Sequence, residues 1–235
     1  MDWETTLAPG SGWVNPRLGI RFDEDGRFLP EAGNTVVCQV IPGSPTEEAL
    51  ARFRAALAAL PHADLFAFTP PESWHMTVFE GVIDTRRDPE NWPKGLHPQA
   101  PLADVTAAMA ARLDGFAPLP TPRMAVSAAT PFGLSLQGAT PEDEALARLW
   151  RDRLAAALGL HRPSHATYAF HTTLAYIKRA YIKRALPAEA LPLWRATLVD
   201  WTARLQQDLP QMDLAPPAFC TFADMCAFPP LRPLA

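Results

Sequence analysis

The chain has 235 residues, 48% of them hydrophobic and 20% charged, with a formal net charge of −4. This describes an ordinary globular protein, long enough for one large domain or two small lobes sharing a core. It argues against a coat for duplex DNA or a membrane-surface protein held by bulk positive charge. No stretch approaches the roughly 18 uncharged apolar residues of a membrane span, and the first residues lack the basic end and apolar run of a signal peptide, so the expectation is a cytoplasmic protein.

Residues 18–28 carry two short apolar runs about Asp25-Gly26 and predict a hairpin. Residues 34–41 are β-branched and end at Pro42-Gly43, which predicts a buried strand. A helix follows, with Ser44 as N-cap, Pro45 at its first position, Glu47 closing a capping box, and Leu50, Phe53, Leu57 and Leu60 along one face. Residues 74–79 alternate as a strand. Leu102, Val105, Met109 and Leu113 mark a helix near 102–114, and a strand pair is expected near 122–128 and 133–138.

Thr140-Pro141 opens another capped helix, with Leu146, Leu149, Trp150 and Leu154 on one face and Gly159 as its stop. Residues 169–177 read as one strand. Residues 188–208 read as a helix burying Trp194, Leu198, Trp201 and Leu205, and residues 218–228 as a returning strand. This mixture of scattered strands and helices gives an α+β class. Tyr176 to Ala180 is repeated at once as Tyr181 to Ala185. Such a short duplication is far below solenoid periods; an odd insertion would flip a strand's faces, so the copy is expected beyond the strand.

Cys38, Cys220 and Cys226 are odd in number and lack CxxC spacing. They read as reduced core thiols and not as a disulfide frame or zinc knuckle. His161 and His165 have the spacing of a metal pair on a helix, but Pro163 between them argues for a loop and surface histidines. Residues 133–138 do not form a nucleophile elbow around Ser135, and no Walker loop or dinucleotide glycine pattern is present.

The informative motif occurs twice: His75-Met76-Thr77-Val78 and His171-Thr172-Thr173-Leu174. On a strand, positions i and i+2 share a face, so each copy offers one imidazole beside one hydroxyl, with Met76 or Thr172 turned to the other side. Two such pairs suit displacement at a phosphodiester. One neutral histidine takes a proton from the nucleophile, the other, protonated, donates to the leaving oxygen, and the hydroxyls hold the non-bridging oxygens, all without a metal or cofactor. A lone His-x-Thr arises readily by chance and a strand histidine is commonly structural; it is the repetition on two strands with matching flanks that argues for a shared site. Parity also puts Phe79 on the face of His75, where it is either a stacking surface or, more often for such a residue, core.

These paired motifs resemble those of the 2H phosphoesterases, which include the RNA 2′,5′-ligase-like proteins and the 2′,3′-cyclic nucleotide phosphodiesterases. Residues 13–23, Gly33-Asn34-Thr35 and residues 170–176 are similar to a bacterial branch of that superfamily, over most of the chain. The resemblance implies a single domain over residues 1–235, with two pseudo-symmetric lobes, antiparallel sheets flanking a central cleft and helices outside. It implies His75 and His171 as the catalytic pair, Thr77 and Thr173 as phosphate contacts, and a nucleotide or RNA-end phosphodiester as substrate. It also implies His171 as the group that activates water and His75 as the one that protonates the leaving oxygen. A module of the same fold that binds a nucleotide or RNA end without turnover, and a metal-dependent phosphoesterase using the same histidines, are the alternatives. Lys178, Arg179, Lys183 and Arg184 are either a steering patch or a solvated face, and Arg17, Arg21 and Arg123 are candidate phosphate clamps that spacing alone does not place.

Overall fold

The computed structural model describes residues 3–9, 11, 13–178 and 185–234. Its helices are α1 (Trp3–Leu7), α2 (Pro45–Ala58), α3 (Leu102–Arg112), α4 (Pro141–Leu158) and α5 (Leu191–Asp208). Its strands are β1 (Gly33–Gln39), β2 (Phe66–Phe68), β3 (His75–Ile83), β4 (Met124–Thr130), β5 (Gly133–Gly138), β6 (His171–Thr173), β7 (Ala175–Ile177), β8 (Ala218–Phe222) and β9 (Pro230–Pro233). The α+β class and the antiparallel pairing are as expected. Seven strands form one sheet in the order β4-β5-β6-β3-β1-β8-β9, and β2 pairs with β7 in a second, small sheet. The two halves of the large sheet, β4-β5-β6 and β3-β1-β8-β9, meet at a single antiparallel pair, Met76 with Thr172.

Local chemistry explains most of these elements. Ser44 accepts a hydrogen bond from the Glu47 amide and starts α2. The Glu47 carboxylate reaches back to the Gly43 amide, one residue earlier than a capping box requires. Thr140 caps α4 on the Asp143 amide, and Gly159 ends it in the left-handed conformation at φ 65°. Trp150 and Trp194 are fully buried, and each indole N–H donates to a backbone carbonyl, of Pro120 and Pro61 respectively. That bond lets a large apolar ring enter the core without stranding its polar atom.

Strand β1 is covered on both faces. Val36, Cys38 and Val40 of the β1 segment join the main core with α2 residues Leu50, Phe53 and Leu57. Val37 points the opposite way, into a smaller cluster with Cys220, Phe222, Met225 and Phe228. A strand buried on both sides loses the polar alternation of a one-sided strand, which is why residues 34–41 read as a continuous apolar run.

Four expectations are corrected. Residues 18–28 do not form a regular hairpin: isolated bridges Leu18–Phe22 and Phe22–Phe28 hold an irregular segment around the fully buried Phe22. The strand expected over 169–177 is two strands in two sheets, because the Phe132 carbonyl accepts from both Leu174 and Ala175 amides and turns the chain out of the large sheet. Leu149 lies 40% exposed, off the face of α4 that Trp150 and Leu154 bury. The segment 218–228 is strand only to Phe222, and β9 follows it. Of the duplicated segment, Tyr176 and Ile177 belong to β7, and residues 179–184 lie outside the described residues.

Candidate active site

The Met76–Thr172 pair organises the site. Both side chains are buried in the main-core direction, 0% and 1% exposed, so the residues on either side of each project to the opposite face. Antiparallel strands run in opposite directions, and the flanking positions therefore fall with His75 across from Thr173 and Thr77 across from His171. The middle residue of each motif is the pairing contact, and the outer two carry the functional groups. All four predicted side chains, His75, Thr77, His171 and Thr173, line one cavity.

The two imidazoles are oriented by the same device. His75 Nδ1 lies 2.6 Å from the Ser73 carbonyl and His171 Nδ1 lies 2.9 Å from the Ala169 carbonyl, each two residues upstream. A carbonyl only accepts, so each Nδ1 carries the proton and each Nε2 is left to the cavity. Their surroundings differ. His75 is partly covered, with the Phe228 ring edge-on at 4.2 Å. Desolvation lowers its pKa to about 4, against the opposing Ser73 bond and with help from the nearby His171 charge. His171 is exposed.

The second motif depends on a close approach that only glycine permits. Gly133, opposite Thr173 on β5, has φ 138°, and a side chain there would put its Cβ 2.1 Å from the Thr172 carbonyl oxygen. The Thr69 hydroxyl donates to the Thr173 carbonyl at 3.2 Å and fixes the end of β6.

Several cavity residues escaped the sequence reading. Tyr168 interacts through its hydroxyl with Thr77, and burial raises its pKa. Beneath it the buried Arg151 stacks at 3.7 Å from the ring centroid and donates to the Val78 carbonyl; its sequence position, inside an apolar helix face, offered no hint of this. Arg162 lines the cavity and spends its terminal nitrogens on the Gly81 carbonyl and the Asn91 side chain. Burial lowers its pKa. Tyr176, Phe222, Met225 and Phe228 form an apolar wall.

Parity fails at Phe79. β3 carries an extra residue between Thr77, opposite Val37, and Phe79, opposite Val36, which turns Phe79 into the core at 2% exposure and presents Glu80 to the cavity instead. The core alternative for Phe79 is correct and the stacking one is not. Of the arginines, Arg21 lines the cavity, with its guanidinium over Tyr176 and bonded to Glu31. Arg17 also pairs with Glu31, and Arg123 pairs with Asp143; neither lines the cavity. His161 and His165 sit in a loop, His165 bonded to Asp152. Lys178 reaches the Asp25 carbonyl, whereas Arg179, Lys183 and Arg184 lie outside the described residues. Among the described residues no cluster of three or more His, Cys, Asp or Glu is placed to hold a metal ion, and no helix is long and apolar enough to cross a membrane.

The family model named 2H-phosphodiest, described as a domain of unknown function (DUF1868), matches residues 21–135. The chain belongs to the 2H phosphoesterase family. The matched region contains the first motif and stops short of the second, and His171 lines the same cavity as His75. Over its whole length this 2H chain is similar to a conserved protein of unknown function, ATU0111, from Agrobacterium tumefaciens str. C58. The two are 40% identical, with a TM-score of 0.95 over 100% of this chain and 99% of the other. No curated protein matches.

Proposed function

We propose that the protein is a metal-independent phosphodiesterase that opens a 2′,3′-cyclic phosphate, or a related phosphodiester, on a nucleotide or RNA end, with both halves of the sheet serving one site. The observation that carries this reading is the convergence of two imidazoles and two hydroxyls, from separate strands, on one cavity. Thr77 and Thr173 donate to the non-bridging oxygens as charge grows on them. One histidine removes a proton from water as its oxygen attacks phosphorus. The other delivers a proton to the ribose oxygen whose bond to phosphorus breaks.

The environments favour an assignment opposite to the one the resemblance implies. His75, held neutral near pH 7 by desolvation, is ready to accept a proton through Nε2. His171, open to solvent, is left as the general acid.

The test is hydrolysis of 2′,3′-cyclic nucleotides and a short RNA with a cyclic-phosphate end, in EDTA. Either His75→Ala or His171→Ala should lower turnover on the order of 10² to 10⁴-fold. Thr77→Ala or Thr173→Ala should lower kcat on the order of 10²-fold. Activity that EDTA abolishes and a divalent ion restores would replace the metal-independent mechanism. No turnover, with nucleotide binding retained, would replace the enzyme by a binding module.

A further inference from the structure

Glu80 lines the cavity of the two histidines, and among the described residues its carboxylate makes no hydrogen bond or ion pair. Arg162 and Arg151 act on it through charge alone, since their bonded nitrogens go to Gly81, Asn91 and Val78. A carboxylate offers acceptors and no donors when ionised. A phosphodiester also offers only acceptors, so Glu80 has nothing to give the phosphate. An acceptor left open in the cavity suits a donor on another part of the ligand.

Position says which part. Thr77 faces Val37 and Glu80 faces Thr35 on β1, a two-residue step of about 7 Å along the strand. Glu80 therefore stands one nucleoside fragment away from the phosphate-binding hydroxyl. The same cavity is lined by Phe222, Tyr176, Met225 and Phe228, an aromatic and thioether surface on which the face of a base can pack.

A carboxylate is best satisfied by two parallel N–H groups. Of the four common bases, guanine alone carries two adjacent N–H donors on its pairing edge, at N1 and N2. Adenine and cytosine set an amino donor beside a ring acceptor, and uracil sets one N–H between two carbonyls. We infer that Glu80 is a specificity residue that reads N1–H and N2–H of a guanine stacked on this wall, making guanosine 2′,3′-cyclic phosphate or an RNA end closing on guanosine the favoured substrate. The inference rests on the phosphodiesterase reading above.

The experiment measures kcat/KM for the four 2′,3′-cyclic nucleotides and the inosine analogue, which lacks the 2-amino group, with the wild type and Glu80→Gln. The wild type should favour guanosine about tenfold or more, with inosine intermediate. Glu80→Gln should erase that preference through KM, leaving kcat and the other three nucleotides within about twofold, since a bond equal in ground and transition states moves KM alone. Equal wild-type use of all four bases, or an equal loss on all four in the variant, overturns the inference and leaves the phosphodiesterase reading standing. Absence of any turnover removes that reading instead. The base preference is then decided by equilibrium binding of the four nucleoside 3′-monophosphates: tighter 3′-GMP binding that Glu80→Gln abolishes supports it, and equal affinities overturn it.

Discussion

His75 begins a nine-residue strand that pairs with β1 along its length, whereas His171 begins a three-residue strand that leaves the large sheet at Leu174. Both imidazoles bond the carbonyl two residues upstream, and both present Nε2 to the same cavity. They differ in solvent. The first is crowded by Phe228 and desolvated, and the second stands in the open. Identical local motifs thus sit in unequal solvent because of their tertiary neighbours, and burial lowers the pKa of His75.

The largest effect that bears on this comparison comes from changing the leaving group. If His171 is the acid, an activated diester with a p-nitrophenolate leaving group needs little protonation. His171→Ala should then recover most of the roughly 10² to 10⁴-fold lost on the cyclic nucleotide, while His75→Ala should not. Recovery by His75→Ala instead would reverse the two roles and restore the family assignment.

A middle-sized effect probes how lightly the second strand is held. Gly133→Ala combines an unfavourable φ with a Cβ driven against the Thr172 carbonyl, so β5 and β6 must separate. The expected cost is about 1–3 kcal/mol in chemical denaturation, with a fall in kcat as His171 is displaced. Gly159→Ala, strained at the end of α4 and remote from the cavity lining, should cost about 1 kcal/mol and leave kcat unchanged. Equal kinetic behaviour of the two variants would break the link between Gly133 and the site.

The smallest effect is on stability against pH. The His75 pKa is near 4 folded and 6.5 by its ordinary value. Between these values the unfolded chain binds a proton that the folded chain does not, so stability is lost as pH falls through this window. His75→Gln should flatten that part of the Tm-against-pH curve relative to the wild type. An unchanged slope would show that His75 is not desolvated in solution.

Much of the fold was legible because it rests on local rules. Ser44 and Thr140 begin helices, Gly159 ends one, and β-branched runs mark the strands, all through groups within four residues of one another. Failures came where a distant partner intervened. The Phe132 carbonyl cut the strand after Thr173, and the irregular register of β3 against β1 exchanged Phe79 for Glu80 at the cavity. Arg151 and Tyr168 were silent in the sequence because their roles depend on stacking between α4 and the segment before β6.

By itself, the sequence determined the class of the fold, the starts of the two helices capped by Ser44 and Thr140 and the pairing of imidazole with hydroxyl in each motif, since period-two geometry and capping chemistry are properties of a few neighbouring residues. The tertiary structure alone decided that the two motifs share one cavity, that one histidine is desolvated while the other is open, and that the Glu80 carboxylate lines the same cavity as an aromatic wall. Those features depend on which residues meet across strands far apart in the chain, and on how much water each meeting excludes.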